Sequence, residues 1–584
     1  MANNSDLKSQ TEFHDHVVLS EEEAPNLVGT AAEEIQKGYW KSPKFLGSCL
    51  AIILLANNLF WGYAVPVNVL NIINQDIGPS PNIYLVSLVN TLIKGVCLLL
   101  VGSVSDAVGR RYFMIGAQTF SVIGAVLSAT SRNVNMLIGA NVFIGMAGSG
   151  QVLYPLLSQE IVPNKYRGWS QGVITLLVLP SIGFGPIIGV SGHIETHVRC
   201  TVTIWVWCYW LHGIVSAVSL VLFILCYFPP GFHQLQSRKS RLDQLQSIDY
   251  FGFILYAGGL ICLLLGLSWG GKQYPWGSAR IIVLLVIGIL GLITFVLYEN
   301  FMKLAQPLLP MSLFRIRNFW IAVVVGSVGQ MSFYAMNVLW PMQVTNLFTQ
   351  DIKTIGWMTC TTGLALTIGE IITGPLFKRF GNVRWQMVIG CIGLTIFGGV
   401  MALGNEHRKA FAIAITICNG LFIGWVELVA IVVAGLVVPP ERIGTAQSFF
   451  ASTRAVSGTI ASSIYLAIYN GELKTNMPQR VTSAVLKAGL PENSVAQLLS
   501  ALSNGTSAAL SKVPGINNNI ITAARAGQKS AWSASFSTVY LSTIAFGATA
   551  LIVAWFATDI SEYMTTFVNK RVEQSKSRVE TEKA

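Results

Sequence analysis

Stretches of about twenty apolar residues recur along most of this chain, the length an α-helix needs to cross a hydrocarbon core of about 30 Å. Lipid offers no hydrogen bonds to a bare amide, so a chain that crosses repeatedly must satisfy its backbone within helices. Composition points the same way: 52% of the 584 residues are hydrophobic and 11% charged, where a soluble domain carries roughly 25% charged residues. The expectation is an all-α, polytopic membrane protein.

Breaks at charge, glycine or proline place spans near 45–68, 83–104, 112–130, 134–158, 169–192, 205–228, 250–270, 279–300, 318–341, 354–377, 385–403, 410–438, 443–469 and 535–557. That even count, fourteen, puts both termini on one side. With the N-terminus cytoplasmic, the short inner loops carry fourteen arginines and lysines, from Arg110 and Arg111 to Arg442. The short outer loops carry seven, from Arg132 to Lys409. The inner excess predicts both ends inside. Segment 470–534 then lies outside and holds Asn504-Gly505-Thr506, the one glycosylation sequon on that face.

The net charge of +11 is concentrated in these loops, where it sets orientation and gives no reason to expect nucleic acid. Nine cysteines without C-x-x-C or Cys/His pairing read as packing residues, with no metal site or disulfide framework. Residues 1–44 lack the pattern of a cleaved signal. No HExxH, Ser/His/Asp or metal-ligand cluster falls within the spans, and GxxxxGK[ST] is absent. The reading is therefore not an enzyme, with no cofactor and no direct use of ATP.

One turn is more informative than the rest. "VGSVSDAVGRRYF" (101–113) ends span 2 with Asp106 and starts span 3 with Arg110 and Arg111. Gly102 permits a close helix approach and Gly109 a tight turn. An arginine here can pair with a carboxylate at similar depth, and Glu160 at the end of span 4 is nearest. A plain positive-inside stop would explain the arginines but not the G-x3-D-x2-G-R-R spacing. A degraded copy, "GPLFKRFGNVRW", follows 272 residues later, with Gly374 and Gly381 matching Gly102 and Gly109 and Lys378 in place of Asp106.

This spacing resembles the loop signature of the major facilitator superfamily, in which the Asp and Arg latch the cytoplasmic side in the outward-open state. "GFGPIIG" (183–189) is similar to the superfamily's antiporter motif, with Gly183, Gly185, Pro186 and Gly189 bending span 5 and packing it tightly; an ordinary small-residue packing face is the other reading. In "IGANVFIGMAGSG" Asn141 stands where drug:proton antiporters of the superfamily carry an Arg. Spans 7 and 8 resemble the extra central pair of the fourteen-span branch. "NQDIGPSPNIYLVSLVNTL" with "NMLIGANVFIG" looks closest to the fungal trichothecene efflux pumps, neighbours of the siderophore-iron transporters.

The resemblance implies two six-helix bundles, 45–228 and 318–557, joined by a linker 229–317 that contains the extra pair. The tails 1–44 and 558–584 are cytoplasmic. Ionisable residues within spans are costly and mark function by default; these are Lys94, Glu370, Glu427 and Arg454. We expect Glu427 to carry the coupling proton under the control of Arg454, with a static ion pair as the alternative. Lys94 and Glu370 are further candidates. The resemblance places spans 1, 4, 9 and 12 around the cavity, and Asn57, Trp61, Gln151, Gln330, Tyr334, Asn337 and Trp425 are its candidate lining. Few polar groups among aromatics suit a small amphipathic organic molecule. The expected activity is proton-coupled export of such a compound, a mycotoxin, other secondary metabolite or drug, by a monomer in lipid. Proton symport of a siderophore-iron complex is the alternative. The plasma membrane is the expected location, with the vacuolar membrane as the alternative.

Overall fold

The computed structural model describes residues 30–31, 39–191, 204–229, 249–504, 513–564 and 567–568, apart from positions 69, 81, 84, 272, 303, 305, 306, 440 and 441. The tails beyond these limits and segments 192–203, 230–248 and 505–512 lie outside the described residues.

The N-terminal half holds α1 (Pro43–Trp61), α2 (Leu85–Val108), α3 (Arg110–Ala129), α4 (Val134–Gln151), α5 (Arg167–Ile182) and α6 (Ile204–Leu225). Helices α7 (Tyr250–Trp269) and α8 (Ala279–Phe301) follow. The C-terminal half holds α9 (Arg317–Gln343), α10 (Ile352–Phe380), α11 (Val383–Val400), α12 (Lys409–Leu436), α13 (Ile443–Lys487) and α14 (Asn518–Trp555). Among the described residues, thirteen helical segments are long and apolar enough to cross a membrane. The exception is α13, whose first turns are rich in Ser, Thr and Gly and carry Arg454. It is tolerated because α2, α7, α9 and α14 all pack against it.

Helix pairing repeats between the halves. Contacts α1–α6, α3–α6, α3–α4, α2–α4 and α1–α5 reappear as α9–α14, α11–α14, α11–α12, α10–α12 and α9–α13. The two main contacts between halves, α5–α10 and α2–α13, exchange under the same correspondence. An internal repeat thus organises both the bundles and the seam between them. The two loop copies each turn on a glycine of positive φ, though ψ is 132° at Gly109 and −58° at Gly381. Gly109 has φ 99° and Gly381 has φ 62°, a region costly for any residue with a Cβ.

Small residues let the seam close. A Cβ on Gly102 would lie 2.7 Å from Ser448 Oγ and 2.8 Å from the Gly444 carbonyl oxygen. A Cβ on Gly374 would lie 2.8 Å from the Gly168 carbonyl oxygen, and one on Gly363 would overlap the Ile182 carbonyl. Lipid is as apolar as leucine, so such close packing, not hydrophobic burial, holds helices together here. The α7–α8 pair docks beside the seam through Leu260 and Leu264 on Leu92, Val96 and Leu99, and the Tyr256 hydroxyl bonds Ser452 on α13. Ile282, Val286, Ile287, Leu290 and Ile293 of α8 are exposed and form a lipid-facing stripe.

Segment 470–534, read above as a long outer loop, is largely helical in its described part. Helix α13 runs on to Lys487, a short helix spans Glu492–Asn504, and α14 begins at Asn518. Val481, Val485, Leu490, Leu498, Val513 and Ile520 form a separate apolar core between them. Asn504 ends the short helix, while Gly505 and Thr506 of the sequon lie outside the described residues.

The seam generates a paired test. Gly363→Ala is expected to destabilise the purified protein by about 1–3 kcal/mol, the usual cost of overpacking, because its obstacle is backbone of the other half. Gly116→Ala on α3 meets nothing within 4 Å and is expected to leave the melting temperature unchanged. Equal melting of the two variants would contradict the close approach.

Candidate functional site

A cavity of about 300 Å³ lies between the halves. Its walls come from both: Tyr63, Lys94, Tyr154 and Thr175 on one side, and Gln330, Tyr334, Asn337, Glu370, Glu427 and Arg454 on the other. Phe60, Phe333 and Phe450 add aromatic surface. All four ionisable residues flagged within the spans therefore meet at one place.

Their arrangement is specific. Arg454 Nη2 lies 2.8 Å from Glu427 Oε2 and donates to Gln330 Oε1 at 2.6 Å. The guanidinium also stacks over the Phe450 ring, 5.2 Å from its centroid. Glu427 Oε1 is buried without a hydrogen-bond partner among the described residues, so the carboxylate is only half satisfied. Glu370 Oε2 accepts a 2.6 Å hydrogen bond from the Thr175 hydroxyl across the seam. Lys94 Nζ sits 4.8 Å from the centroid of the Tyr63 ring. Removing one partner of such a buried pair strands a charge, a cost of about 3–5 kcal/mol.

Of the expected lining residues, Gln330, Tyr334 and Asn337 do face the cavity, whereas Asn57, Trp61, Gln151 and Trp425 do not. Asn57 is turned into the α1–α5 contact, donating to the Leu177 carbonyl at 3.1 Å and accepting from Ser181 at 2.9 Å. Trp61 packs with Val65 and Cys208. Gln151 belongs to a buried network inside the N-terminal half: it donates to Ser121 at 3.1 Å, and Ser121 also bonds His212 and Ser216. Trp425 packs on Phe380 and lies over Gly390. Asn57 and Gln151 thus have hydrogen-bond partners within their own bundle.

At one end of the cavity the two halves are joined. Arg110 Nη2 lies 3.1 Å from Glu160 Oε1, both buried, and Arg110 also bonds Ser105. Arg111 donates to the Ile224 carbonyl at 2.7 Å and stacks on Phe228, 3.9 Å from its centroid. Asp106 lies in the last turn of α2, its side chain outside the described residues. These pairs are internal to the N-terminal half. The bonds that cross are ones the sequence reading missed: Arg167 Nη1 to the Gly435 carbonyl at 2.9 Å, and Gln159 Nε2 to the Ile431 carbonyl at 3.3 Å. Gln447 adds bonds to Gln159 Oε1 at 3.3 Å and to the Ile431 carbonyl at 3.1 Å. Glu160 sits between the two arginines in sequence, within "SQEIVPNKYRG", the segment that could have pointed to Gln159 and Arg167.

Helix α5 ends at Ile182 and resumes as Gly185–Ser191 with Pro186 in its first turn. Gly183 lies against Leu364 of α10, and Pro186 reaches the cavity wall. Gly189 is in the resumed helix, so the four motif residues flank a break at the seam.

Two repeated six-helix bundles around a shared central cavity define a multi-pass membrane transporter of the major facilitator superfamily. The solved proton:xylose symporter XylE has the same fold, with a TM-score of 0.53 at 13% identity over 87% of this chain and 94% of that one. A profile of the fungal trichothecene efflux pump family (TRI12) matches residues 10–582, and the chain belongs to that family. The trichothecene efflux pump TRI12 of Trichoderma arundinaceum is 31% identical over 93% of this chain and 91% of its own length. That of Fusarium sporotrichioides is 28% identical over 93% and 90%.

The crossing bonds can be tested at Gly435. A Cβ there would overlap Gln159 Oε1. Gly435→Ala is therefore expected to displace Gln159 and to raise several-fold the rate at which a water-soluble thiol reagent labels a cysteine placed at Ser448. An unchanged rate would mean that Gln159 does not hold the end shut.

Proposed function

We propose that this protein exports a small amphipathic organic compound, of the mycotoxin or secondary-metabolite class, in exchange for protons. The observation that carries this reading is the Glu427–Arg454 ion pair inside a cavity walled by both halves. Relatives named as trichothecene efflux pumps support the direction and the substrate class. Its aromatic walls and few polar groups suit a mostly apolar guest.

In this reading Glu427 is the coupling carboxylate. A proton arriving from outside neutralises it and releases Arg454, which keeps Gln330 as its partner. The change in pairing favours the inward-facing arrangement, where the proton leaves to the cytoplasm and substrate enters. Glu370, held by Thr175, is a second acid on the same path. Gly102, Asp106, Gly109, Arg110, Arg111 and Glu160 form the latch that steadies the cytoplasmic end. Gly183, Gly185, Pro186 and Gly189 keep α5 close enough to α10 to exclude a proton leak. We place the protein in the plasma membrane as a monomer, with Asn504 as a glycosylation acceptor in the outer head. It transports and catalyses no chemical step.

The test is efflux from cells or vesicles across an imposed pH gradient. Wild-type efflux is expected to speed up as the outside is made more acidic. Glu427→Gln cannot exchange a proton and is expected to lose that acceleration by tenfold or more while still equilibrating substrate. Full gradient-driven efflux by the variant would remove Glu427 from the coupling step. Deletion of the protein is expected to sensitise cells to an exported toxin and to leave growth on iron-starved medium unaltered.

A further inference from the structure

Among the described residues Lys94 has no counter-ion. It is 7% exposed, lines the cavity, and its one contact of note among the described residues is the face of Tyr63. The other three charges of the cavity belong to the C-terminal half. Two of them, Glu427 and Arg454, are paired, and Glu370 is bonded to Thr175.

The fold aims this lysine. One turn away, Asn90 donates to Asn141 of α4 at 3.2 Å, which sets the register of α2 against α4. A Cβ on Gly145 would lie 2.9 Å from the Asn90 carbonyl oxygen, so the helices touch through that glycine. A Cβ on Gly148 would lie 3.3 Å from Lys94 Cδ. The alkyl stem therefore lies along a glycine surface, and the ammonium is carried past it towards the cavity. Asn141 is where similar drug:proton antiporters carry an arginine. In this chain the N-terminal half supplies its cation from α2 instead.

A buried ammonium has three donors and no acceptor, and its desolvation is costly unless a ligand compensates it. We infer that Lys94 is the substrate-binding cation of the N-terminal half, selecting guests that present electron-pair-donor oxygens (carbonyl, ester, ether or carboxylate) and rejecting cationic amphiphiles. The oxygenated end of the guest meets Lys94 above Tyr63, and its apolar body lies against Phe60, Phe333, Tyr334 and Phe450. The inference rests on the export reading above and adds the substrate's polar chemistry to it. It also separates two tasks by half: guest recognition on α2, proton exchange on α12 and α13.

The experiment uses full-length protein in proteoliposomes and three fluorescent probes of similar size: a neutral lactone-bearing coumarin, a carboxylated coumarin, and cationic rhodamine 6G. Wild-type protein is expected to bind and move the two oxygen-donor probes at least tenfold better than rhodamine 6G. Lys94→Met is expected to raise KM for them about tenfold, with the maximal rate and its response to the pH gradient preserved. Lys94→Arg is expected to remain within threefold of wild type, and Lys94→Glu to reverse the preference towards rhodamine 6G. The inference fails if wild type prefers the cationic probe or binds none of the three. It also fails if Lys94→Met keeps its KM but loses the gradient response, which would put Lys94 on the proton path. Should Lys94→Met not fold, the wild-type preference and the Lys94→Arg variant decide. Loss of the export reading is seen separately, as absent toxin sensitivity in deletion cells.

Discussion

Backbone touching backbone across the seam is the constraint on which the rest of this structure depends. Helices α5 and α10 meet through Gly168, Gly172, Gly363 and Gly374, and α2 meets α13 through Gly102 and Gly444. Because the two contacts exchange under the internal repeat, each half presents one helix of each kind to the other. Two such lines of contact leave a gap between them, and that gap is the central cavity. Bulkier side chains along the lines would widen the gap to lipid and water. The extra pair α7–α8 adds no wall to the cavity and instead covers one edge of the seam.

Within that frame, polar groups are allotted by a simple economy of partners. Inside the N-terminal half Gln118, Ser121, Gln151, His212, Ser216 and Ser219 bond one another, so the bundle is tied internally and can move as a body. At the seam Gln159 and Arg167 donate to main-chain carbonyls of α12, at Ile431 and Gly435, and Thr175 donates to Glu370 of α10. In the cavity Glu427 Oε1 and Arg454 Nε are buried with unfilled bonding capacity, as are Arg167 Nε, Asp249 Oδ2 and Glu299 Oε2 elsewhere among the described residues. Incomplete satisfaction in a low-dielectric site is expensive, and in the cavity a guest can relieve it.

Much of this was readable in the residues. Span positions followed from hydropathy, and the paired loop signatures at Gly109 and Gly381 announced the repeat that the helix contacts display. The four intramembrane charges pointed to the cavity because lipid tolerates none of them outside. Rotation of individual helices was not readable. In a helix apolar on every side, periodicity does not say which face meets the cavity, so Asn57, Trp61, Gln151 and Trp425 were assigned to it wrongly. Asn57 and Gln151 instead found partners within the N-terminal half. The helical content of 470–534 was hidden for a different reason. Its small core of Val481, Leu498 and Ile520 is assembled from residues far apart in sequence and too few to give an apolar run.

Helix α13 passes without a break from Arg454 in the cavity to Lys487 beside the small core of segment 470–534. At 1.5 Å per residue that is a rod of about 50 Å. A rocking of 10° about the cavity would sweep its far end through about 9 Å, and α14, packed alongside, would follow. The far end of α13 is in that sense a pointer, whose deflection registers the state of a site buried well away from it.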